Sequence, residues 1–230
     1  MISIIIPARN EAATLAAHLQ ALQGLRAQGH ELILVDGQSS DDTLTLASAW
    51  VDKAISSPPG RATQMNLGAQ QARGELLLFL HADTRLPDQA GQLIAAALQH
   101  HHWGRFDVRL SGRHWLLRVV ERMMNWRSCL SGMATGDQGI FVRRAAFEAL
   151  GGYPELPLME DLALSKALRR VYGWPTCVHQ PLITASRRWE QHGILRTILL
   201  MWTLRLAWFV GVPAERLAAR YRRSDPTLPR

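Results

Sequence analysis

The stretch at residues 76–87, LLLFLHADTRLP, decides the fold class of this chain. Its five leading apolar residues come shortly after Gly74 and are typical of a strand that is buried on both faces. The run then ends in His81 and Asp83. An acid at the end of a buried strand is held rigidly where a ligand can reach it, so this stretch predicts a strand that carries functional groups.

Two earlier segments have the same character. Residues 2–7, ISIIIP, and residues 31–37, ELILVDG, predict buried strands, and a helical pattern over residues 11–25 lies between them. Because strands alternate with helices, we predict an α/β fold with a largely parallel central sheet that is flanked by helices and is Rossmann-like in its first half. Three further elements are predicted downstream: a helix after residue 41, a short strand in residues 52–57 and a helix over about residues 62–72.

Charge is distributed unevenly along the chain. Residues 1–100 hold six Lys and Arg against nine Asp and Glu, whereas residues 101–230 hold twenty against ten, so the net charge of +7 arises in the second half. A basic half indicates an anionic partner, such as a phosphorylated ligand, a membrane surface or a nucleic acid. Aromatic and basic residues do not interleave as on an RNA-binding sheet, so we expect no nucleic-acid partner.

The cysteines and the first residues bear on the cellular compartment. Cys129 and Cys177 lack a CxxC spacing and fit neither a zinc site nor a disulfide framework, which favours a reducing, cytoplasmic location. The opening residues, MISIIIPARNE, lack a basic segment before a short apolar run. We therefore expect them to form a first strand and not a signal peptide.

Ligands of open α/β sheets bind beyond the carboxyl ends of the strands, so the residues there are the candidate site. A carboxylate in such a place can accept hydrogen bonds from a nucleotide or hold a divalent cation that bridges phosphates, for which Mg²⁺ or Mn²⁺ is suited. The alternative is that Asp36 and Asp83 only cap turns. The first half lacks both GxGxxG and GxxxxGK[ST], which disfavours dehydrogenases and P-loop NTPases. The strand-end residues are Pro7, Arg9, Glu11, Asp36, Ser39, His81, Ala82 and Asp83.

Four motifs in order carry a resemblance to a known family: IIIPARNEA, LILVDGQSSDDT, GRATQMNLGAQQARGELLLFLHADT and LMEDLALSKAL. Over about residues 1–205 the chain resembles the family 2 glycosyltransferases of the GT-A fold. It is most similar to the small subgroup associated with arsenosugar biosynthesis, which shares a histidine before the metal aspartate and an SRRW segment. The resemblance implies transfer of a sugar from a nucleotide-sugar donor, usually with Mg²⁺ or Mn²⁺ and with inversion at the anomeric carbon.

The resemblance also implies roles at the donor. Asp36 matches the aspartate that contacts the base and ribose, with Glu11 beside that pocket, and Arg61 lies where the family has a residue near the donor phosphates. Asp83 matches the last acid of the DxD motif and is the expected metal ligand. His81 replaces the first acid, and neutral imidazole ligates Mn²⁺ better than Mg²⁺. A UDP-linked donor is expected because the family favours it.

The resemblance further implies a general base. In the family an ED pair supplies it, which identifies Asp161 as the base with Glu160 beside it. From spacing alone, two acids before an amphipathic helix are commonly first-turn complements to the helix dipole. Asp137, in the segment before this pair, is expected near the acceptor without an assigned role.

The segment ASRRWEQHG resembles the QxxRW motif of processive synthases, except that Ala185 replaces the glutamine. Transfer of a single sugar is therefore expected. Arg188 would neutralise the diphosphate and Trp189 would stack on a sugar. The alternative is a solvated edge with a packed indole.

The resemblance divides the chain into a glycosyltransferase domain at residues 1–190, with a donor half at 1–100 and an acceptor half at 101–190, and a helical extension at 191–230. Residues 194–212 are mostly apolar, but Arg196 and Arg205 lie inside this stretch and disfavour a membrane span. An amphipathic helix that packs on the core, pairs with a second chain or lies on a membrane is favoured. The last option suits a lipid-linked hydroxyl acceptor and a peripheral location on the inner membrane face.

Two other functions are compatible with an α/β fold of this kind, but the sequence favours sugar transfer over both. A nucleotidyltransferase would begin with a glycine-rich, lysine-bearing loop, which PARNEA is not. A non-catalytic nucleotide-sugar binder would need no general base, and the chain has both Asp83 and Asp161.

Overall fold

The computed structural model describes residues 1–224. Within them lies one eight-stranded sheet with the order β3-β2-β1-β4-β7-β6-β8-β5. Six strands run in one direction, and only β7 and β5 run against them, so the predicted α/β fold with a largely parallel sheet is confirmed. The strands are β1 Ile2–Ala8, β2 Glu31–Asp36, β3 Lys53–Ser56, β4 Leu76–Phe79, β5 Thr84–Arg85, β6 Trp103–Leu110, β7 Phe141–Arg143 and β8 Thr176–Thr184.

Helices cover both faces of the sheet. The predicted helix over residues 11–25 is present as two segments, and the one predicted after residue 41 is a short helix. The helices are α1 Ala12–Ala21, α2 Gln23–Ala27, α3 Thr43–Ala47, α4 Arg61–Gln70, α5 Ala90–His100, α6 Trp115–Ser131, α7 Arg144–Ala149, α8 Glu160–Tyr172, α9 Arg187–His192, α10 Ile194–Phe209 and α11 Ala214–Arg223, with a 3₁₀ turn at Gly136–Gln138.

The parallel half of the sheet is apolar because both of its faces are buried. Along β1, Ile4 and Ile6 belong to one core cluster, and Ile5 belongs to the cluster on the opposite face. Each of these side chains is at most 1% exposed. The continuous apolar run that predicted a doubly covered strand therefore reflects two cores that share one sheet.

Helix α4 packs very closely on the sheet. A Cβ atom on Gly68 would lie 2.5 Å from Ile5 Cγ2, so this helix position requires a glycine. One turn closer to the helix start, Gln64 Nε2 donates hydrogen bonds to the carbonyl oxygens of Ala8, at 2.9 Å, and Val35, at 2.7 Å. The contact fixes the start of α4 against the carboxyl ends of β1 and β2.

The C-terminal helices add a third, smaller core. Leu204 of α10 and Leu217 of α11 pack with Met133 and with Met159 and Leu162, the two residues that flank the ED pair. The apolar stretch that begins at residue 194 is a helix, as predicted. Within residues 1–224, no helix combines the length and the apolar character needed to cross a bilayer. Residues 225–230 of the predicted extension lie outside the described part of the chain.

The prediction about the two cysteines is wrong. Cys129 of α6 and Cys177 of β8 are joined by a disulfide, with Cα atoms 6.4 Å apart. Helix α6 packs on β6, and Cys177 lies opposite Arg105 in the β6–β8 register, so tertiary packing brings together residues 48 positions apart. Because the two cysteines are paired, they do not support the predicted reducing compartment.

Candidate active site

A cleft of about 380 Å³ opens at the carboxyl ends of β1 and β4. This is the edge of a parallel sheet at which α/β proteins bind ligands. The starts of α4 and α8 form further walls, and α11 closes one side. The lining residues are Pro7, Ala8, Arg9, Glu11, Gly60, Arg61, Gln64, His81, Ala82, Asp83, Leu156, Pro157, Leu158, Glu160, Ala218, Tyr221 and Arg222.

The structure brings most of the residues predicted for the site to this cleft and leaves five outside its lining. Those in the lining are Pro7, Arg9, Glu11, Arg61, His81, Ala82, Asp83 and Glu160. Those outside it are Asp36, Ser39, Asp161, Arg188 and Trp189.

Asp36 is engaged with its own turn. Its carboxylate is 3% exposed and accepts hydrogen bonds from the backbone N–H of Ser39, at 3.0 Å, and from the Ser39 hydroxyl. The same hydroxyl oxygen accepts the N–H of Asn10 at 2.9 Å. This network joins the loop after β1 to the loop after β2 and thereby shapes the wall that contains Arg9 and Glu11.

The carboxylates of Asp83 and Glu11 both face the guanidinium group of Arg187 at the rim of the cleft. Arg187 Nη2 lies 3.5 Å from Glu11 Oε2 and 3.9 Å from Asp83 Oδ2. In the SRRW segment, the sequence predicted roles only for Arg188 and Trp189. The first arginine is the one that faces the two acids.

The donor set fits a cation only if a substrate shares the coordination. Among residues 1–224, no group of three or more His, Cys, Asp and Glu side chains is arranged to hold a metal ion. Asp83 nevertheless faces the cleft with 27% of its side chain exposed. Mg²⁺ and Mn²⁺ sites commonly use one or two carboxylates, with waters and substrate phosphates as the remaining ligands, and Asp83 fits that kind of site.

His81 pairs with an acid from the second half of the chain. Its Nδ1 atom lies 3.3 Å from Asp137 Oδ1, and a Cβ atom on Gly136 would lie 2.6 Å from its Nε2 atom, so a larger residue there would displace the imidazole. Burial alone would raise the pKa of Asp137, but the hydrogen bond to His81 and the charges of His81 and Arg61 lower it to about 2. The imidazole is thus held against the turn at Gly136–Gln138.

Glu160 and Asp161 begin α8 and occupy different surroundings. Glu160 is 6% exposed, and burial, followed by the charge of Asp161, raises its pKa. Asp161 Oδ2 accepts the backbone N–H of Gly136 at 2.8 Å, and Oδ1 accepts that of Leu162 at 2.7 Å. Two backbone donors therefore fix the orientation of the Asp161 carboxylate.

Three arginines, Arg9, Arg61 and Arg222, line the cleft beside three acids, Glu11, Asp83 and Glu160. Burial alone would lower the pKa of Arg61, but the nearby charges of Glu160, Tyr221, Asp137 and Asp161 raise it, so Arg61 remains charged. Guanidinium groups bind phosphate oxygens in a bidentate manner, and several around one cleft suit a diphosphate.

Helix α11 is the part of the site that sequence reasoning missed. Residues 220–223, RYRR, were predicted only as part of the helical extension at 191–230, but Tyr221 and Arg222 line the cleft. Arg188, expected at the diphosphate, instead donates a hydrogen bond to the Tyr221 hydroxyl, and its guanidinium carbon lies 3.9 Å from the tyrosine ring centre. Trp189 packs against the main core. The signal that was available is the alternation of Tyr221 with arginines on one short helix.

Two further arginines, Arg127 and Arg205, lie near Asp161. Burial and the charge of Arg205 lower the pKa of Arg127 to about 10, while Asp161 acts in the opposite direction. Burial also lowers the pKa of Arg205, against the charges of Asp161 and Asp137. Within the described part of the chain, Arg127 Nε and Nη2 are buried without a hydrogen-bond partner.

Comparison with known proteins gives one family. The family model described as Glycosyl transferase family 2 matches residues 3–149. A PGL/p-HBAD biosynthesis glycosyltransferase from Mycobacterium tuberculosis is 32% identical over 167 residues, which amount to 66% of this chain and 63% of the relative. The chain therefore spans less than two thirds of the length of that relative.

Solved structures share the fold at low sequence identity. S. aureus TarS in complex with UDP-GlcNAc aligns with a TM-score of 0.64 and 18% identity over 80% of this chain and 58% of that one. The mannosyltransferase PcManGT from Pyrobaculum calidifontis, in complex with GDP-Man and Mn²⁺, aligns with a TM-score of 0.58 and 19% identity over 80% of this chain and 56% of that one. The predicted GT-A fold is confirmed.

Proposed function

Because the chain belongs to glycosyl transferase family 2, we propose that it transfers a single sugar from a nucleotide-sugar donor to a hydroxyl acceptor, with inversion at the anomeric carbon. One observation carries this proposal. A cleft at the carboxyl ends of β1 and β4 joins three arginines with Asp83 and the buried Glu160. Arginines that could bind a diphosphate and an aspartate that could bind a metal thus line one cleft with the start of α8, the helix that also carries Asp161.

The donor is proposed to be a uridine diphosphate sugar. TarS is described with UDP-GlcNAc and PcManGT with GDP-Man, so relatives of this fold bind both kinds of base. In this chain Arg9, Arg61 and Arg222 would contact the diphosphate oxygens, and the loops after β1 and β2 would hold the nucleoside. The subgroup associated with arsenosugar biosynthesis remains a prediction.

A divalent cation, Mg²⁺ or Mn²⁺, is proposed as the cofactor and Asp83 as the residue that holds it. When bound, the cation would supply positive charge to the diphosphate leaving group. His81 was expected as a second metal ligand, but its Nδ1 atom lies beside Asp137. This contact suits a role for Asp137 in orienting the His81 ring. Arg187 lies close enough to Asp83 to balance its charge.

Asp161 is proposed as the general base. Its carboxylate would take the proton of the acceptor hydroxyl as that oxygen bonds to the anomeric carbon and the bond from that carbon to the diphosphate breaks. The nucleoside diphosphate leaves with the electron pair, and Arg61 and Arg222 would stabilise its charge. Asp161 lies outside the donor lining, so the acceptor would approach past Gly136 and Arg205. Burial and the charge of Asp161 raise the pKa of Glu160, which favours its protonated form relative to an exposed glutamate.

The acceptor is proposed to be lipid-linked, and the protein to work as a peripheral protein on the inner membrane face. The long apolar helix α10 supports this proposal, because it also carries Arg205, which is electrostatically close to Asp161. A hydroxyl carried by a lipid would reach Asp161 from this side of the molecule.

Calorimetric titration with UDP, GDP and dTDP, each with Mn²⁺ and with EDTA, tests the proposal. We expect one nucleotide to bind with Mn²⁺ and to lose most of its affinity with EDTA. Sugar transfer from the matching donor would then separate an enzyme from a non-catalytic binder. If the folded protein binds none of the three nucleotides, the proposed function is wrong.

A further inference from the structure

Helix α10 presents an apolar stripe to solvent. Leu195, Leu199, Trp202, Leu206 and Phe209 are spaced by four, three, four and three residues, which places them on one face of the helix. Each of them is more than half exposed. Scattered apolar residues are ordinary on a protein surface, but a continuous stripe of large side chains marks a contact with another apolar phase.

Helix α6 presents a second stripe of the same kind. Trp115, Val119, Met123, Trp126 and Leu130 repeat at intervals of four, four, three and four residues, and all five are exposed. Helices α6 and α10 pack against each other, so the stripes belong to neighbouring elements. Together they expose three tryptophans, which are enriched at the interface between membrane and water.

The surroundings of the stripes are basic. A groove of about 380 Å³ between α10 and α11 is lined by Arg196, Arg220 and Arg223, and it adjoins the α10 stripe at Leu199. Helix α10 contains no acidic residue. The single acid of α6, Glu121, is 8% exposed, and its carboxylate accepts the backbone N–H of Leu110. Anionic groups beside the stripes would therefore meet cations and no exposed acid of α6 or α10.

We propose that the α6 and α10 stripes dock on the surface of an anionic lipid bilayer and that the arginine groove binds lipid phosphates. Apolar side chains in a row, tryptophans and flanking arginines are the features of helices that lie in the membrane interface. A second copy of this chain would bring the same cations to the contact, so like charges would oppose self-association. No helix in residues 1–224 can span a bilayer, which leaves an interfacial position.

The docking orientation has a consequence for the acceptor, and this point rests on the proposed function. Arg205 lies on the docking helix and is electrostatically close to Asp161. A docked molecule would therefore hold its acceptor side near the lipid head groups. The docking itself requires no assumption about the sugar or the nucleotide.

Vesicle co-sedimentation of the full chain tests the docking. The probes are vesicles of phosphatidylcholine alone and of phosphatidylcholine mixed with phosphatidylglycerol. We expect binding to the mixed vesicles that weakens as salt is added, since charge attraction is screened. Trp202→Glu combined with Leu206→Glu should weaken this binding at least about tenfold, because two exposed side chains lose their apolar contact with lipid. Val171→Glu, at an exposed apolar position of α8 outside both stripes, is the matched control and should bind as the parent does.

A further variant tests the groove. Arg196→Ala combined with Arg220→Ala should lower affinity for the mixed vesicles about tenfold or more and reduce its dependence on salt, because each arginine contributes separately. Circular dichroism melting checks that each variant is folded. Nucleotide binding should stay unchanged in the docking variants, which separates a failure of docking from a failure of the proposed function.

Three results would overturn the proposal. The first is no binding of the parent to mixed vesicles. The second is equal binding to vesicles with and without phosphatidylglycerol. The third is a dimer in lipid-free solution, measured by light scattering, that Trp202→Glu with Leu206→Glu dissociates, because this result would assign the face to a second copy of the chain.

Discussion

The donor half of the sheet and the C-terminal helices both line the cleft, but they do so for different reasons. In the first half of the sheet, the cleft residues at 7–11 and 81–83 lie at or just after the ends of buried strands, so those strands set their positions. In the C-terminal segment, Tyr221 lines the cleft and contacts Arg188, which lies outside the lining and 33 residues earlier in the chain. Local order thus places the first group, and packing between distant helices places the second.

The largest expected effect concerns Asp161, the proposed general base. Asp161→Asn should lower the rate of sugar transfer at least about a hundredfold, because the amide cannot take the acceptor proton. Nucleotide affinity should stay within about twofold, since Asp161 lies outside the donor lining. Initial rates and calorimetry measure the two quantities. A rate close to that of the parent would remove Asp161 from the mechanism.

Asp83→Asn should sharpen the contribution of the donor half. We expect at least about a tenfold loss of nucleotide affinity in Mn²⁺ and little change in EDTA, because the amide holds a divalent cation poorly. Asp88→Asn changes an exposed acid that follows β5 and lies outside the cleft lining, and it is the matched control. An equal loss in Mn²⁺ and in EDTA would mean that Asp83 acts on the nucleotide or on the fold without a metal.

Arg222→Ala tests whether the C-terminal helices contribute to donor binding. Loss of one charged hydrogen bond to a phosphate should raise the nucleotide dissociation constant about tenfold. Arg216→Ala, at an exposed position of the same helix outside the cleft, should leave the constant unchanged. If both variants bind as the parent does, α11 only covers the cleft, and the donor half binds the diphosphate alone.

The smallest expected effect is on stability as a function of pH. Burial raises the pKa of Glu160 above its ordinary value of 4.5 in the folded protein. A raised folded pKa stabilises the protein fully below pH 4.5, and this stabilisation is lost as the pH rises through the folded pKa. Glu160→Gln should therefore flatten the fall in the free energy of unfolding between pH 4.5 and neutral pH, as measured by urea titration. An unchanged pH dependence would show that Glu160 does not carry it.

The sequence was informative where structure and function depend on neighbouring residues. Strands β1, β2 and β4 were predicted because burial on both faces requires continuous apolar runs, and the residues after β1 and β4 do reach the cleft. Asp36 shows the limit of this reasoning. It ends strand β2, but its carboxylate accepts hydrogen bonds from Ser39 in its own turn, which no spacing rule distinguishes from contact with a ligand.

The remaining features depend on contacts between residues far apart in the chain. The Cys129–Cys177 disulfide, the pairing of His81 with Asp137 and the place of α11 at the cleft each join segments separated by dozens of residues. A single sequence records the chemistry of such residues but not which of them meet. The place of Tyr221 and Arg222 at the cleft was therefore not predicted.

Met159 shows why the C-terminal helices matter for the acids themselves. This residue lies immediately before Glu160 and has a φ angle of +70°, a left-handed conformation that costs a side-chain-bearing residue on the order of 1 kcal/mol or more. Its side chain is buried beside Leu204 and Leu217 of the last two helices. A chain cut at residue 190 would lose that packing, and Met159 would then be free to relax to a right-handed conformation and turn the two acids away. The smallest fragment able to catalyse transfer should therefore extend through α11.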